Sequence, residues 1–479
     1  MEKRSLKLRT AHSFKWNTID KISTQLIYAI TGIVLANNVS KSDFGIVGII
    51  LVFQAFASLF VDSGFSSALI QRHAPDSKDY STVFFFNLGV SVIVYAILYF
   101  MSPLIGNFFG YEELTLLSRV MFLTFVLNAL AIVQTNRLMK QMTVRLIAIS
   151  NIVALSISGA LGIVLALNGY GAWSLVWQSV TLSGLKSIIL WSCVKWRPML
   201  YFSFRRLKSF FKIGAGVMTT SFMNTVSQNI YPLIIGTTLN MVSLGVYTQA
   251  EKWSKMGIMS MSQTLNSTFL PLLSEINTDR ERFLRGIAKT NRLCSYIVFP
   301  VFTLLVLIAT PLFHILFSDK WDDAIPLFQI LVIRGIFNVL TLHYNNYILA
   351  VGRAKMLVSS EFVKDIVMIA ALAITVTYGL EAIVWGQLAA SAVCWVYTLW
   401  LASKALNIAP HTLIVHALPY VCITVISLIP AAYMLSVSAN ALITITIQII
   451  SAIIIYMSIN ALLKSKIQAD IINYIFRKQ

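Results

Sequence analysis

Apolar runs of roughly 20 residues follow one another along the whole of this 479-residue chain. A helix of that length crosses the hydrocarbon core of a bilayer, where every backbone N–H and C=O group must bond within the chain. The chain is 57% hydrophobic and only 12% charged, whereas a soluble globular domain carries about 25% charged residues. Together these features predict an all-α polytopic membrane protein.

We count fourteen candidate membrane spans, and all are joined by short connections. Their predicted limits are 13–36, 44–70, 82–105, 114–136, 146–168, 171–194, 211–237, 243–270, 290–316, 323–350, 355–378, 381–403, 412–435 and 439–462. Because the connections are short, the sequence predicts no soluble domain of any size.

Basic residues are distributed unevenly between the two sides that these spans define. With the N-terminus inside, the inside segments hold 28 of the 37 Lys and Arg residues, and the outside segments hold only Lys41 and Lys320. The positive-inside rule therefore predicts that both termini are cytoplasmic. The formal net charge of +18 lies largely in these short loops, so we expect no nucleic-acid partner.

The span Ser243–Pro271 is unusual because Glu251, Lys252 and Lys255 lie in its middle third. At about 100° per residue, six of its polar residues fall within one arc of roughly 100°. They are Thr248, Glu251, Lys252, Lys255, Ser262 and Asn266, and Val246, Ala250, Trp253, Gly257, Met261 and Leu265 lie opposite. A charge in hydrocarbon costs several kcal/mol unless it faces a cavity or a partner. Lys252 and Lys255 are therefore interpreted either as contacts for an anionic substrate or as structural partners of Glu251.

Three other spans, the first, the second and the seventh, carry similar polar faces. The main polar residues are Asp20 and Lys21 in span one, Gln54, Ser58 and Asp62 in span two, and Asn224 and Gln228 in span seven. Spans one, two, seven and eight occupy equivalent places in two halves of the chain. We expect their four polar faces to meet around a central aqueous cavity.

The candidate substrate-binding residues of this cavity are Lys252, Lys255, Lys21, Arg334, Asn224 and Gln228. Asp20, Asp62 and Glu251 are candidates either for cation or proton coupling or for structural ion pairs, and the sequence leaves both possibilities open. Lys364 is expected to pair with Glu361 or Asp365. Lys186 lies about two turns inside the sixth span and receives no role.

An internal repeat indicates two lobes. GIVLANNVSKSDFG (32–45) joins spans one and two, and GTTLNMVSLG (236–245), four residues shorter, joins spans seven and eight. Six spans separate the copies, which predicts a parallel repeat. The predicted domains are an N-terminal six-helix lobe (1–195), a cytoplasmic amphipathic linker (196–212), a C-terminal six-helix lobe (213–405) and two extra transmembrane helices with a cytoplasmic tail (406–479). The linker is interpreted as an interfacial helix or as a basic loop that only sets topology.

The sequence contains none of the common catalytic motifs: no phosphate-binding loop, no HExxH and no Gly-rich dinucleotide turn. The four cysteines lie in or at the ends of apolar runs without metal-ligand spacing, and we interpret them as small packing residues. We expect no enzymatic activity, no cofactor and no metal.

Several segments resemble the polysaccharide and O-antigen flippase family. They are FGIVGIILVFQAFASLFVDSGFSSALIQR (44–72), SLGVYTQAEKW (243–253), FLPLLSEINTDRERF (269–283), FSDKWDDAIPLFQIL (317–331) and ILAVGRAK (348–355). That family belongs to the superfamily of multidrug, oligosaccharidyl-lipid and polysaccharide exporters. One departure is Tyr231, which stands where many members carry Asp in span seven, and Pro232 follows it. We expect Pro232 to kink or unwind the outer end of that span.

The resemblance implies a fold and an activity. The fold is two six-helix lobes in a V around a central cavity, with two extra C-terminal helices. The activity is flipping of a lipid-linked oligosaccharide from the inner to the outer leaflet of the bacterial cytoplasmic membrane. The implied partners are that substrate, membrane lipids and glycan polymerase or export machinery.

A cavity with lysines, amides and hydroxyls suits the diphosphate and sugar of such a substrate, moved by alternating access without ATP. The alternative is a Na⁺- or H⁺-coupled multidrug or metabolite exporter of the same superfamily, which Asp20 and Asp62 keep open. A membrane glycan polymerase would need a large outside loop with catalytic residues, and none is present. A structural scaffold would not need charged stripes through the bilayer.

Overall fold

The structure, a computed structural model, describes the backbone of residues 2–62, 69, 72, 75–277, 279–433 and 441–476. Within these ranges it does not describe the side chains of residues 2–11, 14, 62, 209, 211–220 and 474–476. All regular elements of the described residues are helical. They are α1 (Glu2–Asn38), α2 (Lys41–Asp62), α3 (Ser77–Phe109), α4 (Glu113–Met121), α5 (Leu123–Lys140), α6 (Val144–Leu167), α7 (Ala172–Cys193), α8 (Phe204–Thr238), α9 (Met241–Glu275), α10 (Arg280–Leu307), α11 (Ala309–Phe317), α12 (Ala324–Ala350), α13 (Lys355–Thr375), α14 (Leu380–Leu406), α15 (Pro410–Tyr433), α16 (Ala441–Leu462) and α17 (Lys466–Phe476), with 3₁₀ turns at Asp319–Trp321 and Val376–Tyr378.

A helix lies at each of the fourteen predicted spans, and ten helical segments have the length and apolarity needed to cross a membrane. The prediction of an all-α polytopic membrane protein is confirmed. The count of fourteen spans and the two six-helix lobes stay predictions. Two spans are divided, the fourth at Phe122 and the ninth at Ile308, and α10 begins ten residues before the predicted limit. Helix α10 begins early because Asp279 caps its N-terminus by accepting a hydrogen bond from the Arg282 N–H.

The linker differs from the predicted interfacial helix. Residues 194–203 form no helix, and α8 begins only at Phe204. Pro198 has no backbone N–H and disfavours helical backbone at Arg197, whose side chain donates instead to the carbonyl oxygens of Trp191 and Trp196. The first half of the predicted linker helix is therefore wrong, and the second half is the start of α8.

The sequence predicted that Pro232 kinks or unwinds the outer end of its helix, and unwinding is wrong, whereas a kink stays a prediction. Helix α8 continues through Pro232 to Thr238. The proline removes one N–H donor from the helix, which a membrane helix tolerates when neighbouring groups satisfy the freed carbonyl.

The chain forms two compact units, Met1–Gly245 and Val246–Gln479. In the first unit, an aromatic core of Tyr80, Phe84, Trp196 and Phe210 holds the linker against α3. Arg206 also binds Asp76 and Asp79 at the start of α3, at 2.6 and 2.8 Å, and its guanidinium lowers the pKa of Asp76 to about 2. The linker is thus attached to the first unit by packing and by charge.

In the second unit, the C-terminal helices pack on α10. Tyr296 of α10 contacts the rings of Tyr420 and Tyr456, and the Tyr456 hydroxyl donates to the Tyr296 carbonyl oxygen at 2.9 Å. These contacts join α15 and α16 to the body of the unit.

The repeat that the sequence indicated is more regular than predicted. Val39 N–H bonds the Leu35 carbonyl and Leu239 N–H bonds the Ile235 carbonyl, so residue n of the first copy corresponds to residue n + 200 of the second. The same cap recurs, because Asp43 N–H bonds the Ser40 side chain as Ser243 N–H bonds the Asn240 side chain. The sequence alignment that paired Gly32 with Gly236, and so made the second turn four residues shorter, is therefore wrong. The turns have equal length, and Gly45 corresponds to Gly245.

These two glycines mark a reciprocal crossing of α2 and α9 within the first unit. A Cβ on Gly45 would lie 1.9 Å from the Met241 carbonyl oxygen, and a Cβ on Gly245 would lie 1.8 Å from the Lys41 carbonyl oxygen. Backbones approach this closely only where both residues lack a side chain. Equivalent residues of the two repeats therefore contact each other across a local two-fold relation.

We predict that Gly45→Ala destabilises the protein by about 1–3 kcal/mol, because the added methyl group meets backbone that cannot move aside. Gly89→Ala is the matched control, since Gly89 also lies in a helix and its Cβ would meet nothing within 4 Å. Thermal unfolding of the full chain in nanodiscs measures both. Equal unfolding midpoints for the two variants would contradict the close crossing.

Candidate functional site

The charged residues of α9 belong to a hydrogen-bonded network that crosses three helices. Lys255 Nζ lies 3.0 Å from Glu251 Oε1, and the Tyr247 hydroxyl donates to the same carboxylate oxygen at 3.2 Å. Gln387 of α14 donates to the Tyr247 oxygen at 2.9 Å and accepts from Arg334 of α12 at 2.9 Å. We call these five residues the Arg334–Lys255 network.

Local helix geometry explains one side of this network. Tyr247, Glu251 and Lys255 are spaced by four residues, so their side chains lie above one another on a single face of α9. Each group donates in one direction, from Arg334 through Gln387 and Tyr247 towards Glu251, an arrangement in which neighbouring bonds strengthen each other. The pairing of Glu251 with Lys255 that the spacing predicts is present.

Exposure changes along the Arg334–Lys255 network. Gln387 and Tyr247 are buried, whereas the Glu251 side chain is 12% exposed and that of Lys255 is 41% exposed. Lys255 is therefore the accessible end. An ammonium has three N–H donors, and Glu251 occupies one of them, so an anion can approach the others.

Three other predicted substrate-binding residues, Lys252, Asn224 and Gln228, are not part of the network. Lys252 is exposed, with its ammonium 5.5 Å from the centroid of the Trp253 ring. Asn224 and Gln228 are exposed on α8. Of the apolar residues expected opposite the stripe, Val246, Ala250 and Leu265 are buried, but Gly257 is exposed.

In the first unit, the predicted acidic residue of span one connects two helices. Asp20 accepts hydrogen bonds from the Asn151 amide of α6 at 3.1 and 3.4 Å and from the Thr24 hydroxyl at 3.3 Å. Lys21 is exposed. The side chain of Asp62 lies outside the described residues. Asp20 therefore has a structural role in joining α1 to α6, whether or not it also binds an ion.

A separate pocket of about 270 Å³, with polar and apolar lining residues, lies within the first unit. Helices α2, α5 and α7 line it with Gln54, Ser58, Val61, Phe125, Asn128, Ala131, Ile132, Thr135, Asn136 and Lys186. The sequence predicted the polar face of Gln54 and Ser58, but it assigned no role to Lys186 and singled out no residue of α5. We call this space the Lys186 pocket.

His314, Asp319 and Asp322 form the one group of side chains in the described part of the chain that has the spacing of metal ligands. Their ligand atoms lie within 4.8 Å of one another, but all three residues are exposed. His314 Nε2 already lies 3.0 Å from Asp322 Oδ1. A surface hydrogen bond accounts for this proximity.

Known proteins share both the fold and the sequence pattern. The described fold aligns with that of a structure described as "Lipid II flippase MurJ, inward closed conformation", with a TM-score of 0.71 and 15% identity over 93% of this chain and 98% of that chain. This likeness defines a polytopic helical protein with the fold of the multidrug, oligosaccharidyl-lipid and polysaccharide exporters.

Residues 34–326 match the family described as "Polysaccharide biosynthesis protein". The chain belongs to this family, the polysaccharide and O-antigen flippases of that superfamily. The teichuronic acid biosynthesis protein TuaB of Bacillus subtilis (strain 168) is 26% identical over 344 residues, 71% of each chain. The lipopolysaccharide biosynthesis protein WzxC of Escherichia coli (strain K12) is 22% identical over 339 residues, 69% of this chain and 68% of its own. The resemblance found in the sequence is confirmed.

We predict that Gln387→Leu lowers the free energy of unfolding by about 1–3 kcal/mol, because it leaves the half-buried Arg334 guanidinium without the Gln387 acceptor. Gln387→Glu, which keeps an acceptor for Arg334, should lose less. Gln141→Leu is the control at an exposed glutamine. Both free energies of unfolding are measured by chemical unfolding in nanodiscs. Equal values for Gln387→Leu and Gln141→Leu would show that the Arg334–Lys255 network does not stabilise the protein.

Proposed function

We propose that this protein flips an undecaprenyl-diphosphate-type oligosaccharide from the inner to the outer leaflet of the bacterial cytoplasmic membrane. The observation that carries the proposal is the pair of cations on α9, Lys255 with 41% of its side chain exposed and Lys252 exposed beside it. An ionised residue inside a membrane protein indicates a pathway for a polar or charged ligand. Membership of the polysaccharide family makes a lipid-linked glycan the ligand class.

The chemistry of the substrate fits this arrangement. A lipid-linked oligosaccharide has an apolar chain, a diphosphate with about two negative charges and a polar glycan. Lys252 and Lys255, both in the second unit, supply two ammonium groups to the diphosphate. Lys21, Asn224, Gln228 and Arg334 stay the other predicted substrate contacts. Glu251 balances the charge of Lys255 and holds it in place until the diphosphate binds.

The proposed transport step is alternating access without ATP. With the cytoplasm negative, moving an anion outward releases about 2.3 kcal/mol per charge per 100 mV. The membrane potential therefore favours outward movement of a dianion. In this proposal both termini are cytoplasmic, and the glycan is delivered on the outer side to polymerase or export machinery.

We predict that Lys252→Ala combined with Lys255→Ala lowers glycan export more than ten-fold, because two charge-assisted contacts to the diphosphate are lost. The control is Arg282→Ala combined with Arg285→Ala, which removes two exposed cations at the start of α10. Export and lipid-linked glycan on the cytoplasmic leaflet are measured in a deletion strain that carries each variant at equal protein level. Wild-type export by the Lys252/Lys255 variant would contradict the anion site.

A purely structural role for Lys255 predicts a different effect on export, which the combination of Glu251→Gln with Lys255→Met measures. If Lys255 only neutralises Glu251, then Glu251→Gln combined with Lys255→Met should restore export and stability to those of the wild type. If Lys255 binds the diphosphate, we expect this double variant to stay defective. If the deletion strain instead became sensitive to drugs while its glycan export was normal, a multidrug exporter would be favoured.

A further inference from the structure

We propose that the linker between α7 and α8 is a membrane-surface anchor that binds the anionic headgroups of phospholipids in the leaflet beside it. The inference goes beyond the proposed function, because it assigns a partner to a segment that belongs to no part of the proposed substrate site. We give the name linker surface to seven exposed residues, the apolar Met199, Leu200, Phe202 and Phe204 and the basic Lys195, Arg205 and Lys208.

The apolar residues of the linker surface form an open patch. Leu200 is 98% exposed and Phe204 is 77% exposed, and Met199 and Phe202 are each 42% exposed. The rings of Phe202 and Phe204 pack edge to face with their centroids 4.9 Å apart. In water, side chains of this size lose the stabilisation that burial of their apolar area would contribute. The patch is therefore suited to the acyl region of a bilayer.

The linker lies where the chain meets the predicted surface of the bilayer. Helix α7 ends at Cys193, beside the predicted end of span six at residue 194, and α8 begins at Phe204, before the predicted start of span seven at residue 211. The helical residues from 204 to 211 rise about 10 Å. That distance is comparable to the depth of an interfacial segment at the headgroup boundary.

Contacts with the first turn of α3 hold the other side of the linker. The Trp196 indole N–H donates to the Ser77 hydroxyl at 3.0 Å. The Lys78 ammonium lies 5.1 Å from the centroid of the Tyr201 ring. The linker is thus bound to the first unit through these side chains, which leaves its apolar patch on the surface.

The backbone of the linker separates the bound side from the exposed side. Tyr201 and Ser203 are half-buried, whereas Phe202 and Phe204 are exposed, and the backbone at Ser203 is extended. Successive side chains of an extended backbone point to opposite sides. An extended segment can therefore present two phenyl groups to lipid without the amphipathic helix that the sequence predicted.

The charge of the linker favours an anionic headgroup. Residues 194–208 contain five Lys and Arg residues and no Asp or Glu. In the described part of the chain, the carboxylates that form ion pairs with this segment are Asp76 and Asp79, and both pair with Arg206. The exposed cations of the linker surface are Lys195, Arg205 and Lys208.

Two of these cations lie beside the apolar patch at the start of α8. Lys208 follows Phe204 by four residues and Arg205 by three, so the three side chains are neighbours on the helix surface. A helix N-terminus favours anions, and these cations add to that preference. A phospholipid with an anionic headgroup supplies a negative charge above an acyl chain, which matches this arrangement. Such lipids are enriched in the cytoplasmic leaflet, the side that the proposed topology gives to the linker.

The first measurement locates the linker in nanodiscs that contain the full-length chain. The exposed cysteines are removed by Cys193→Ser and Cys422→Ser, and a polarity-sensitive fluorophore is attached at Leu200→Cys. The control label is attached at Glu281→Cys, an exposed residue in the first turn of α10. We expect a quencher on the lipid acyl chain to quench the label at position 200, and iodide in the water to quench the label at position 281. Equal iodide quenching at the two positions would overturn the anchor and would favour a docking surface for a soluble protein.

The second measurement tests the headgroup. Phosphatidylglycerol in place of phosphatidylcholine should shift the emission of the label at position 200 to shorter wavelengths. Arg205→Gln combined with Lys208→Gln should reduce this shift about three-fold or more, because two cations that attract the anionic surface are lost. Arg282→Gln combined with Arg285→Gln is the matched control, since it removes two exposed cations with the same spacing at the start of α10. The control should leave the shift unchanged.

Two results of the second measurement would overturn the anionic-lipid site. One is the same emission in phosphatidylglycerol and phosphatidylcholine, and the other is an unchanged shift in the Arg205/Lys208 variant. The comparison of the two lipids uses one labelled chain, so it does not depend on the folding of the charge variants. Neither measurement uses transport, so a failure to flip a glycan would contradict the proposed function alone.

Discussion

The arrangement of charges depends on one physical constraint: an ionised side chain within a membrane protein needs a counter-charge or a polar ligand. The described residues meet this constraint in three ways. Lys255 has a carboxylate partner four residues away on the same helix. Arg334 instead donates a hydrogen bond to the neutral side-chain amide of Gln387. Gln387 donates to the Tyr247 hydroxyl, which donates to the Glu251 carboxylate. Lys186 lies at a pocket with both polar and apolar lining residues, where the Asp20 carboxylate acts on it electrostatically.

The helices that carry these charges are held by contacts of a different kind. Helices α2 and α9 cross at Gly45 and Gly245, where only glycine permits the backbones to approach so closely. The crossing relates equivalent residues of two repeats, and it lies at the start of both helices that carry polar faces. Gln54 and Ser58 lie on α2 beyond this crossing, and Glu251, Lys252 and Lys255 lie on α9 beyond its equivalent. The repeat thus places two polar helices in corresponding positions and lets their side chains differ.

The sequence predicted the helices well because apolar length and turn residues are local signals. It predicted the Glu251–Lys255 pair for the same reason, since helical spacing alone brings them together. It could not predict Gln387 as the partner of Tyr247, because the two are 140 residues apart and both are neutral. It could not predict Asn151 as a partner of Asp20, because the two residues are 131 positions apart in the chain. No local sequence pattern indicated that Lys186 lines a pocket, because that pocket is formed by three separate helices. The prediction of a helix in the first half of the linker is wrong because Pro198 disfavours helical backbone at the residue before it, despite the amphipathic pattern.

Flipping of a lipid-linked glycan by this chain alone is the central claim, and leaflet sidedness in reconstituted vesicles tests it most directly. The purified full-length chain is placed in liposomes with a fluorescent undecaprenyl-diphosphate oligosaccharide, and a membrane-impermeant quencher reports how much label lies in the outer leaflet over time. The account predicts label exchange well above that of protein-free vesicles, without ATP and faster when a membrane potential draws the anion across. Exchange at the protein-free rate, or exchange that requires ATP, would contradict it.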